Sequence, residues 1–246
     1  MSVFRNAVFL AAIAGLFAGI VMTGLQSFFT VPLILEAETY ESAAVPAHDH
    51  GSEHAHDGVA ANDHHHGEDA WAPADGAERT FYTGLANIVT GIGIGLLLIA
   101  VSEIAGGIGG WRQGLVWGFA GFSVFTLAPG LGLPPELPGM PAADLFARQF
   151  WWVATAGATA VGLALIAFGR NPLLAVLGVG LIIALHIVGA PQPVTHETNV
   201  PADLHQRFVV AVTMTNLVFW VILGGAAGFL RTRFAEGLGT ARSSLA

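Results

Sequence analysis

Long apolar stretches separated by short polar segments make up most of the chain, and six of these stretches are long enough to cross a membrane. A helix rises about 1.5 Å per residue and the hydrocarbon core of a bilayer is about 30 Å thick, so a span needs about 20 apolar residues. The predicted spans cover residues 7–29, 81–104, 114–131, 150–168, 172–190 and 208–230. The pattern therefore predicts an all-α integral membrane protein with a single membrane domain, residues 1–246.

A five-span alternative would join residues 150–190 into one helix. That helix would be about 60 Å long at helical rise and would be interrupted by Gly169, Asn171 and Pro172. Two spans joined by a tight turn fit the sequence better, and we therefore favour six transmembrane helices.

The arginines divide unevenly between the two sides that six spans create. One side holds Arg5, Arg112, Arg170, Arg231, Arg233 and Arg242, and the other holds Arg79, Arg148 and Arg207. Basic residues concentrate in the cytoplasmic loops of membrane proteins. We therefore expect both termini in the cytoplasm and the polar segment at residues 36–78 on the outer side of the membrane.

A short motif precedes three of the predicted spans, in PADGAERTF, PAADLFARQF and PADLHQRF. Each copy has an arginine four positions after an aspartate (Asp75, Asp144 and Asp203) and a phenylalanine that opens the span. The repetition predicts a two-helix hairpin repeated three times in pseudo-symmetric fashion. A helix start at the membrane interface, used three times, is the simpler interpretation, because an aspartate in the first turn complements the helix dipole.

The outward segment, residues 36–78, is rich in imidazoles and carboxylates and has few residues able to form a core, so we expect it to be disordered. Imidazole is a good ligand for cobalt, nickel and zinc, and a flexible cluster should bind such ions weakly and exchange them fast. Because imidazole titrates near about pH 6.5, capture should weaken in mildly acidic medium. A hydrophilic spacer without function is the alternative interpretation. The candidate ligands are His48, His50, His54, His56, His64, His65 and His66.

Further candidate metal ligands lie at or near the outer ends of the predicted spans. They are Glu36, Glu38, Glu136, His186, His196, Glu197 and His205. Carboxylates and imidazoles at an outer vestibule would concentrate cations, whereas an ordinary hydrated loop is the plainer interpretation. His186 is the one titratable residue well inside a predicted span. Uncharged polar residues in the spans, such as Thr155 and Thr159, are more typical of helix packing than of an ion route.

The composition excludes several kinds of chemistry. Hydrophobic residues make up 54% of the chain and charged residues 11%, which is too apolar for a soluble domain of this length. The chain has no cysteine, which excludes disulfides and thiolate metal sites, and all nine basic residues are arginine, which excludes a Walker A phosphate loop. We expect no enzymatic activity, no organic cofactor and no nucleic-acid partner.

Four segments of the chain resemble a known family. TVPLILEAETYE at residues 30–41, LPPELPGM at 133–140, RQFWW at 148–152 and NLVFWVILGGAAG at 216–228 together resemble the probable cobalt transporter subunit family CbtA. The resemblance implies a component of cobalt uptake in the bacterial inner membrane, with a small single-span partner, CbtB, that has a histidine-rich tail. This chain differs from the family in its own histidine-rich stretch and in its six predicted spans, since the family is described as having five.

Two functions from different classes follow from these features. In the first, the chain is a membrane subunit of a divalent metal uptake transporter, with cobalt as the ion and nickel or zinc as alternatives. The membrane potential, worth about 2.3 kcal/mol per charge per 100 mV, would draw the cation inwards. In the second, the chain is a non-transporting metal-binding or scaffold membrane protein that buffers metal or supports a partner.

Overall fold

The computed structural model describes residues 2–44, 73–74 and 76–243. In chain order its elements are α1 (Ser2–Phe29), α2 (Val31–Ala44), α3 (Ala77–Ile104), α4 (Trp111–Phe122), a π-helical segment (Ser123–Leu127), α5 (Ala128–Gly132), α6 (Leu145–Phe168), α7 (Pro172–Val188) and α8 (Ala202–Ser243). No β-strand occurs in these ranges. The predicted all-α fold is therefore confirmed.

Each of the six predicted spans is helical, but the helices differ in length. Five are long and apolar enough to cross a membrane: Arg5–Phe29, Ala77–Ile104, Trp111–Gly132, Leu145–Phe168 and Ala202–Phe234. The sixth, α7, is apolar and has 17 residues. Its length of about 26 Å lies at the lower limit for a span. By length the structure thus has five candidate membrane helices and one shorter apolar helix in its described part.

Side-chain caps mark the starts of α6 and α7, and a proline at the start of α7 makes the turn between them sharp. An oxygen of the Asp144 carboxylate accepts a hydrogen bond of 2.8 Å from the Ala147 amide and caps α6. At the other end of α6, the Asn171 side chain accepts from the Leu173 amide at 2.9 Å, and Pro172 opens α7. These groups satisfy helix N-termini that the chain would otherwise leave unpaired. The two helices consequently fold back on each other as an antiparallel hairpin.

Three antiparallel helix pairs form the body of the protein: α1 with α3, α4 with α8, and α6 with α7. Each pair meets at two glycines, one from each helix, and a Cβ at any of the six would run into the carbonyl oxygen of the facing glycine. The glycine pairs are Gly15 with Gly91, Gly114 with Gly224, and Gly162 with Gly178. Small residues allow backbones to approach closely where lipid removes the hydrophobic reason to associate. The glycines therefore have a packing role.

The pairing of the helices does not confirm the prediction of three repeated hairpins. In chain order, the first apolar segment pairs with the second, the third with the sixth, and the fourth with the fifth, so the pairs are not three consecutive equivalents. The physical reason lies in the glycine-lined faces. Gly110, just before α4, and Gly114 and Gly118 of α4 face Gly224 and Gly228 of α8, and the two helices pack along these glycines.

The first two pairs join through α1 and α8, which pack against each other. Small residues of α1 and large residues of α8 share one buried cluster. Its members include Ala11, Ala14 and Ala18 from α1 and Phe219, Trp220, Leu223 and Ala227 from α8. Large apolar side chains on the other faces of the helices are exposed, as a lipid-facing surface requires.

Replacement of Gly114 by alanine should destabilise the protein, because the new methyl group would overlap the Gly224 carbonyl oxygen. We expect a loss of about 1–3 kcal/mol, typical of overpacking in a close interface. Gly157→Ala is the matched control, since nothing lies within 4 Å of a Cβ at that helical position. The midpoint of thermal unfolding in detergent should fall for the first variant and not for the second. Equal midpoints would contradict the close α4–α8 contact.

Candidate cation-binding face

One end of the helix bundle is covered by a layer that we call the cap, formed by α2 and residues 133–144 and 189–201. The layer has a small core of its own with the start of α8, made of Ala37, Leu137, Val200, Leu204 and Phe208. Ala37 and Leu204 have no exposed surface. The cap therefore packs on the bundle as an ordered structure, and it places several of the predicted site residues.

The expectation that the outward loop begins at residue 36 is wrong. Residues 36–44 were expected to belong to that loop, but they continue α2 to Ala44. The reason is a helical stripe of apolar side chains, Leu33, Ile34, Ala37 and Tyr40, that packs against the cap core. Glu36 and Glu38 consequently occupy defined positions on a helix.

Three of the four predicted carboxylate ligands at this end each pair with an arginine. The closest oxygen–nitrogen distances are 3.5 Å for Glu36 with Arg207, 3.1 Å for Glu38 with Arg79 and 3.0 Å for Glu136 with Arg148. The three arginines are those of the repeated motif. Arg207 also lies 3.7 Å from Asp203, four residues earlier on the same helix face, whereas Asp144 caps its helix instead. Asp75 lies outside the described residues.

These ion pairs join elements that are distant in the sequence. Through Glu38 and Glu36, α2 connects to the first turn of α3 and the second turn of α8. Through Glu136, residues 133–144 connect to α6. Sequence reasoning identified the glutamates and the arginines separately but not their pairing. The outward side has three arginines and eight glutamates, so the sequence does not indicate which glutamate pairs with which arginine.

His205 at this end also contacts a backbone carbonyl. His205 Nε2 lies 3.1 Å from the Pro135 carbonyl oxygen, which joins α8 to residues 133–144. His196 and Glu197 are exposed on the segment between α7 and α8. Thr198, next to them, donates a hydrogen bond of 3.2 Å to the Gly139 carbonyl. The structure thus places these residues on one face without bringing them into one cluster.

His186 lies near the cap end of α7 with both ring nitrogens against carbonyl oxygens. Nδ1 is 3.0 Å from the Ile182 oxygen and Nε2 is 3.0 Å from the Ala128 oxygen. A neutral imidazole has only one N–H, so it donates only one of these contacts in either tautomer. The ring packs edge-on against Trp151, with ring centroids 5.9 Å apart. His186 therefore ties α7 to α5 and to α6.

No group of three or more histidine, aspartate or glutamate side chains able to hold a metal ion occurs in the part of the chain that the structure describes. The seven histidines from His48 to His66 lie outside that part. The segment that carries them joins the described chain after α2 and before α3. Both of these helix ends are at the cap, so the histidine-rich segment begins and ends there.

The opposite end of the bundle has a different arrangement. Arg231 of α8 forms a salt bridge with Glu103 of α3, and the guanidinium also packs against Gly107, a position with φ +81° that glycine adopts readily. Arg112 and Arg233 lie over the rings of Trp111 and Phe229, at 5.4 Å from the ring centroids. Arg5 and Arg170 begin or follow helices at this same end. Five arginines therefore lie at this end of the bundle, away from the cap.

The uncharged polar residues in the spans fall into two groups. The Asn87 amide donates to Gln26 at 2.7 Å and to Thr23 at 3.2 Å, which links α3 to α1, and Asn216 donates to the Val212 carbonyl. Three buried groups on α6, however, have no hydrogen-bond partner among the described residues: Trp151 Nε1, Thr155 Oγ1 and Thr159 Oγ1. Trp151 was not among the predicted functional residues, although its spacing from the two threonines would have placed it on their helix face.

Comparison with known proteins decides the family. A family model described as probable cobalt transporter subunit (CbtA) matches residues 4–232, nearly the whole chain. The chain belongs to the CbtA family. The resemblance seen in the four sequence segments is confirmed, and the protein is a multi-pass membrane protein of a family of cobalt transporter subunits. No curated protein and no solved structure matches the chain.

Membership of the CbtA family changes how the cap is interpreted. The family is one of probable cobalt transporter subunits, so residues able to contact an ion are of interest. The family match covers the cap, both helix ends that flank the histidine-rich segment and the row of unpartnered groups on α6.

The Glu136–Arg148 pair should contribute more to stability than the Glu36–Arg207 pair, because its side chains are 25% and 31% exposed against 45% and 55%. We expect a coupling energy of about 1 kcal/mol for the first pair and a few tenths for the second. Double-mutant cycles with Glu→Gln and Arg→Gln variants, read by thermal unfolding in detergent, measure both values. Equal coupling in the two cycles would contradict the described geometry.

Proposed function

We propose that this chain is the membrane subunit of a cobalt uptake system of the bacterial inner membrane, with six membrane crossings and a histidine-rich segment that captures the ion outside. The observation that supports it most is the shared location of the cap and of both attachment points of that segment, at the end of the bundle opposite the arginine-rich end. The ion that family membership implies is a divalent cation.

The packing of α7 supports a sixth crossing. Gly178 of α7 faces Gly162 of α6, and further along His186 contacts Trp151. The helix α7 thus runs beside α6 from Phe168 back to the turn that contains Trp151. Because α6 is long enough to span the membrane, a partner that follows it over this length spans most of the same depth. His186 then lies near the cap-side surface of the membrane.

The distribution of charge supports an outward cap. Arg79, Arg148 and Arg207 at the cap are all paired with carboxylates, and further acidic residues lie around them. The opposite end carries Arg5, Arg112, Arg170, Arg231 and Arg233 with Glu103 as an acidic partner. Since arginine concentrates on the cytoplasmic side, the cap faces outwards. The seven histidines of the segment then lie in the outer aqueous space, where they bind the ion before it reaches the membrane.

Capture and movement are separate steps in this proposal. Imidazoles of the histidine-rich segment bind cobalt, with nickel and zinc as competitors, and release it quickly because no fixed geometry holds the ion. The acidic cap raises the local cation concentration. The inside-negative potential then favours inward movement by about 4.6 kcal/mol per 100 mV for a divalent ion. In this proposal, a small histidine-rich partner similar to CbtB associates with the chain.

The sixth crossing places Asn171 and Val194 on opposite sides of the membrane. Because the chain contains no cysteine, single Asn171→Cys and Val194→Cys variants can be made without removing any native thiol. We expect a membrane-impermeant maleimide to label the thiol at position 194 in spheroplasts, and the thiol at position 171 only after lysis. Position 194 is fully exposed, so access is not limited by packing. Labelling of both thiols in intact spheroplasts would refute the sixth crossing.

Replacement of the seven histidines by asparagine should raise the cobalt concentration needed for half-maximal uptake and leave the maximal rate nearly unchanged. The reason is that the segment supplies ions to the bundle and does not form the path. Uptake of radioactive cobalt into proteoliposomes, with an imposed inside-negative potential, measures both values, and His196→Asn, an exposed histidine outside the segment, is the control.

Two other results have definite meanings in the same experiment. Wild-type vesicles that bind cobalt but accumulate no more than empty vesicles would exclude transport by this chain alone and favour the metal-binding or scaffold function. Loss of maximal uptake with an unchanged half-saturating concentration would refute the capture role.

A further inference from the structure

Two buried threonines on α6 differ from every other buried hydroxyl in the described part of the chain. Five hydroxyl side chains are buried there: Thr30, Ser102, Thr155, Thr159 and Thr215. Three of them donate to a backbone carbonyl three or four residues earlier, at 2.8 to 3.1 Å. Thr155 and Thr159 have no such bond, although they are 0% and 3% exposed. Their hydroxyls therefore point away from the backbone that could satisfy them.

The indole of Trp151 extends these two hydroxyls into a row. Trp151 is 6% exposed, and its Nε1 is likewise without a partner among the described residues. Residues 151, 155 and 159 follow one another at four-residue intervals, so they lie on one face of α6 about 6 Å apart. Thr155 and Thr159 lie on either side of the middle of α6, Leu145–Phe168. The row thus begins near the cap and reaches the centre of the membrane.

The ends of the row lie against α7 and against α5, which continues the interrupted helix formed by α4 and the π-helical segment. Gly162, one turn after Thr159 on α6, packs against α7. The Trp151 ring lies against Gly132 of α5 and edge-on to His186. Pro129 has no N–H, so it cannot donate to the Val124 carbonyl one π turn earlier. Such π-helical segments are frequent at functional sites.

Packing alone does not account for this row. An unpaired buried hydroxyl or N–H costs about 1–3 kcal/mol, and hydrocarbon around the bundle supplies no alternative partner. Valine has nearly the shape of threonine and would avoid that cost. The side chains that could link helices by hydrogen bonds, such as Asn87 with Gln26, do so. Three successive unpartnered groups on one face therefore indicate a ligand that binds to all of them.

We infer that Trp151, Thr155 and Thr159 line a hydrated path through the membrane and that this path takes divalent cations with part of their water shell. An indole N–H only donates, so the species beside Trp151 accepts a hydrogen bond, as water does and a bare cation does not. Threonine oxygens accept and donate, and they bind either a cation or its water. A water molecule beside the row can bond to the indole N–H and to the threonine hydroxyls.

The sign of the ion follows from the charges at the mouth of the path. Trp151 lies one turn from Arg148, which is neutralised by Glu136, and the cap carries more carboxylates than arginines. A negative surface concentrates cations and repels anions. The inference rests on the proposed transport function for the identity of the ion, whereas access of water to the row is a property of the fold alone.

The first test compares valine and serine at the two threonines. Thr155→Val and Thr159→Val keep the shape and remove the hydroxyl, and we expect each to lower cobalt uptake into proteoliposomes about two- to tenfold, the effect of one lost hydrogen bond. Serine keeps the hydroxyl and should retain most of the uptake. The thermal midpoint of the valine variants should be unchanged or higher, because an unpartnered buried hydroxyl is removed. Wild-type uptake in the double valine variant would overturn the inference.

The second test measures water access directly and uses the absence of native cysteine. Single cysteines at positions 155 and 159 are exposed in turn to methanethiosulfonate reagents with a positive or a negative charge. Ala156→Cys, buried at 6% exposure beside the row, and Val161→Cys, 53% exposed towards lipid, are the controls. Only a thiol in water ionises and reacts, so we expect the row positions to react about tenfold faster than both controls. The cationic reagent should react faster than the anionic one, and cobalt should slow it.

The outcomes separate this inference from the proposed function. Row thiols that react no faster than Ala156→Cys would overturn the hydrated path, even if the wild type transports cobalt. Faster reaction with the anionic reagent would overturn the cation assignment. Rapid cationic labelling in a protein that accumulates no cobalt would refute the proposed transport while the hydrated cation path on α6 stands.

Discussion

Close contact between glycine backbones is the interaction on which the rest of this structure depends. Lipid chains are as apolar as leucine, so helices gain nothing from hydrophobic burial against one another and must gain from packing and hydrogen bonds. Gly15 with Gly91, Gly114 with Gly224, and Gly162 with Gly178 allow three antiparallel pairs to approach to backbone contact. These contacts choose the partner of each helix, and through it they decide which loops meet above the bundle.

The cap follows from that pairing. Since α4 pairs with α8 and α6 pairs with α7, the segments at residues 133–144 and 189–201 emerge beside each other and beside α2. The arginines at the starts of α3, α6 and α8 then find glutamates on α2 and on the 133–144 segment. The carboxylates that a sequence pattern assigns to metal thus hold the cap together, and the row of polar groups on α6 becomes the better candidate for contact with an ion inside the membrane.

Polar groups in a membrane span need hydrogen-bond partners, and most of those in the described spans have them. Asn87, Gln26 and Thr23 bond to one another, and Asn216 bonds back to its own helix, which is what a hydrocarbon environment demands. Thr155 and Thr159 break this rule in the middle of α6. A transporter has a physical reason to keep such groups, because a path that was fully satisfied by its own hydrogen bonds would have none to offer a hydrated ion.

The sequence by itself determined the class of the fold and the position of every apolar helix, because runs of about 20 apolar residues have one stable solution in a bilayer. It also determined the family, through segments such as LPPELPGM and RQFWW. Tertiary structure alone decided which helices pair, that residues 36–44 are helical, and that Glu36, Glu38 and Glu136 face arginines. It also decided that Thr155 and Thr159 lack partners. These features depend on contacts between residues far apart in the chain. A periodic pattern of apolar residues does not indicate which distant residue a given glycine, glutamate or hydroxyl contacts.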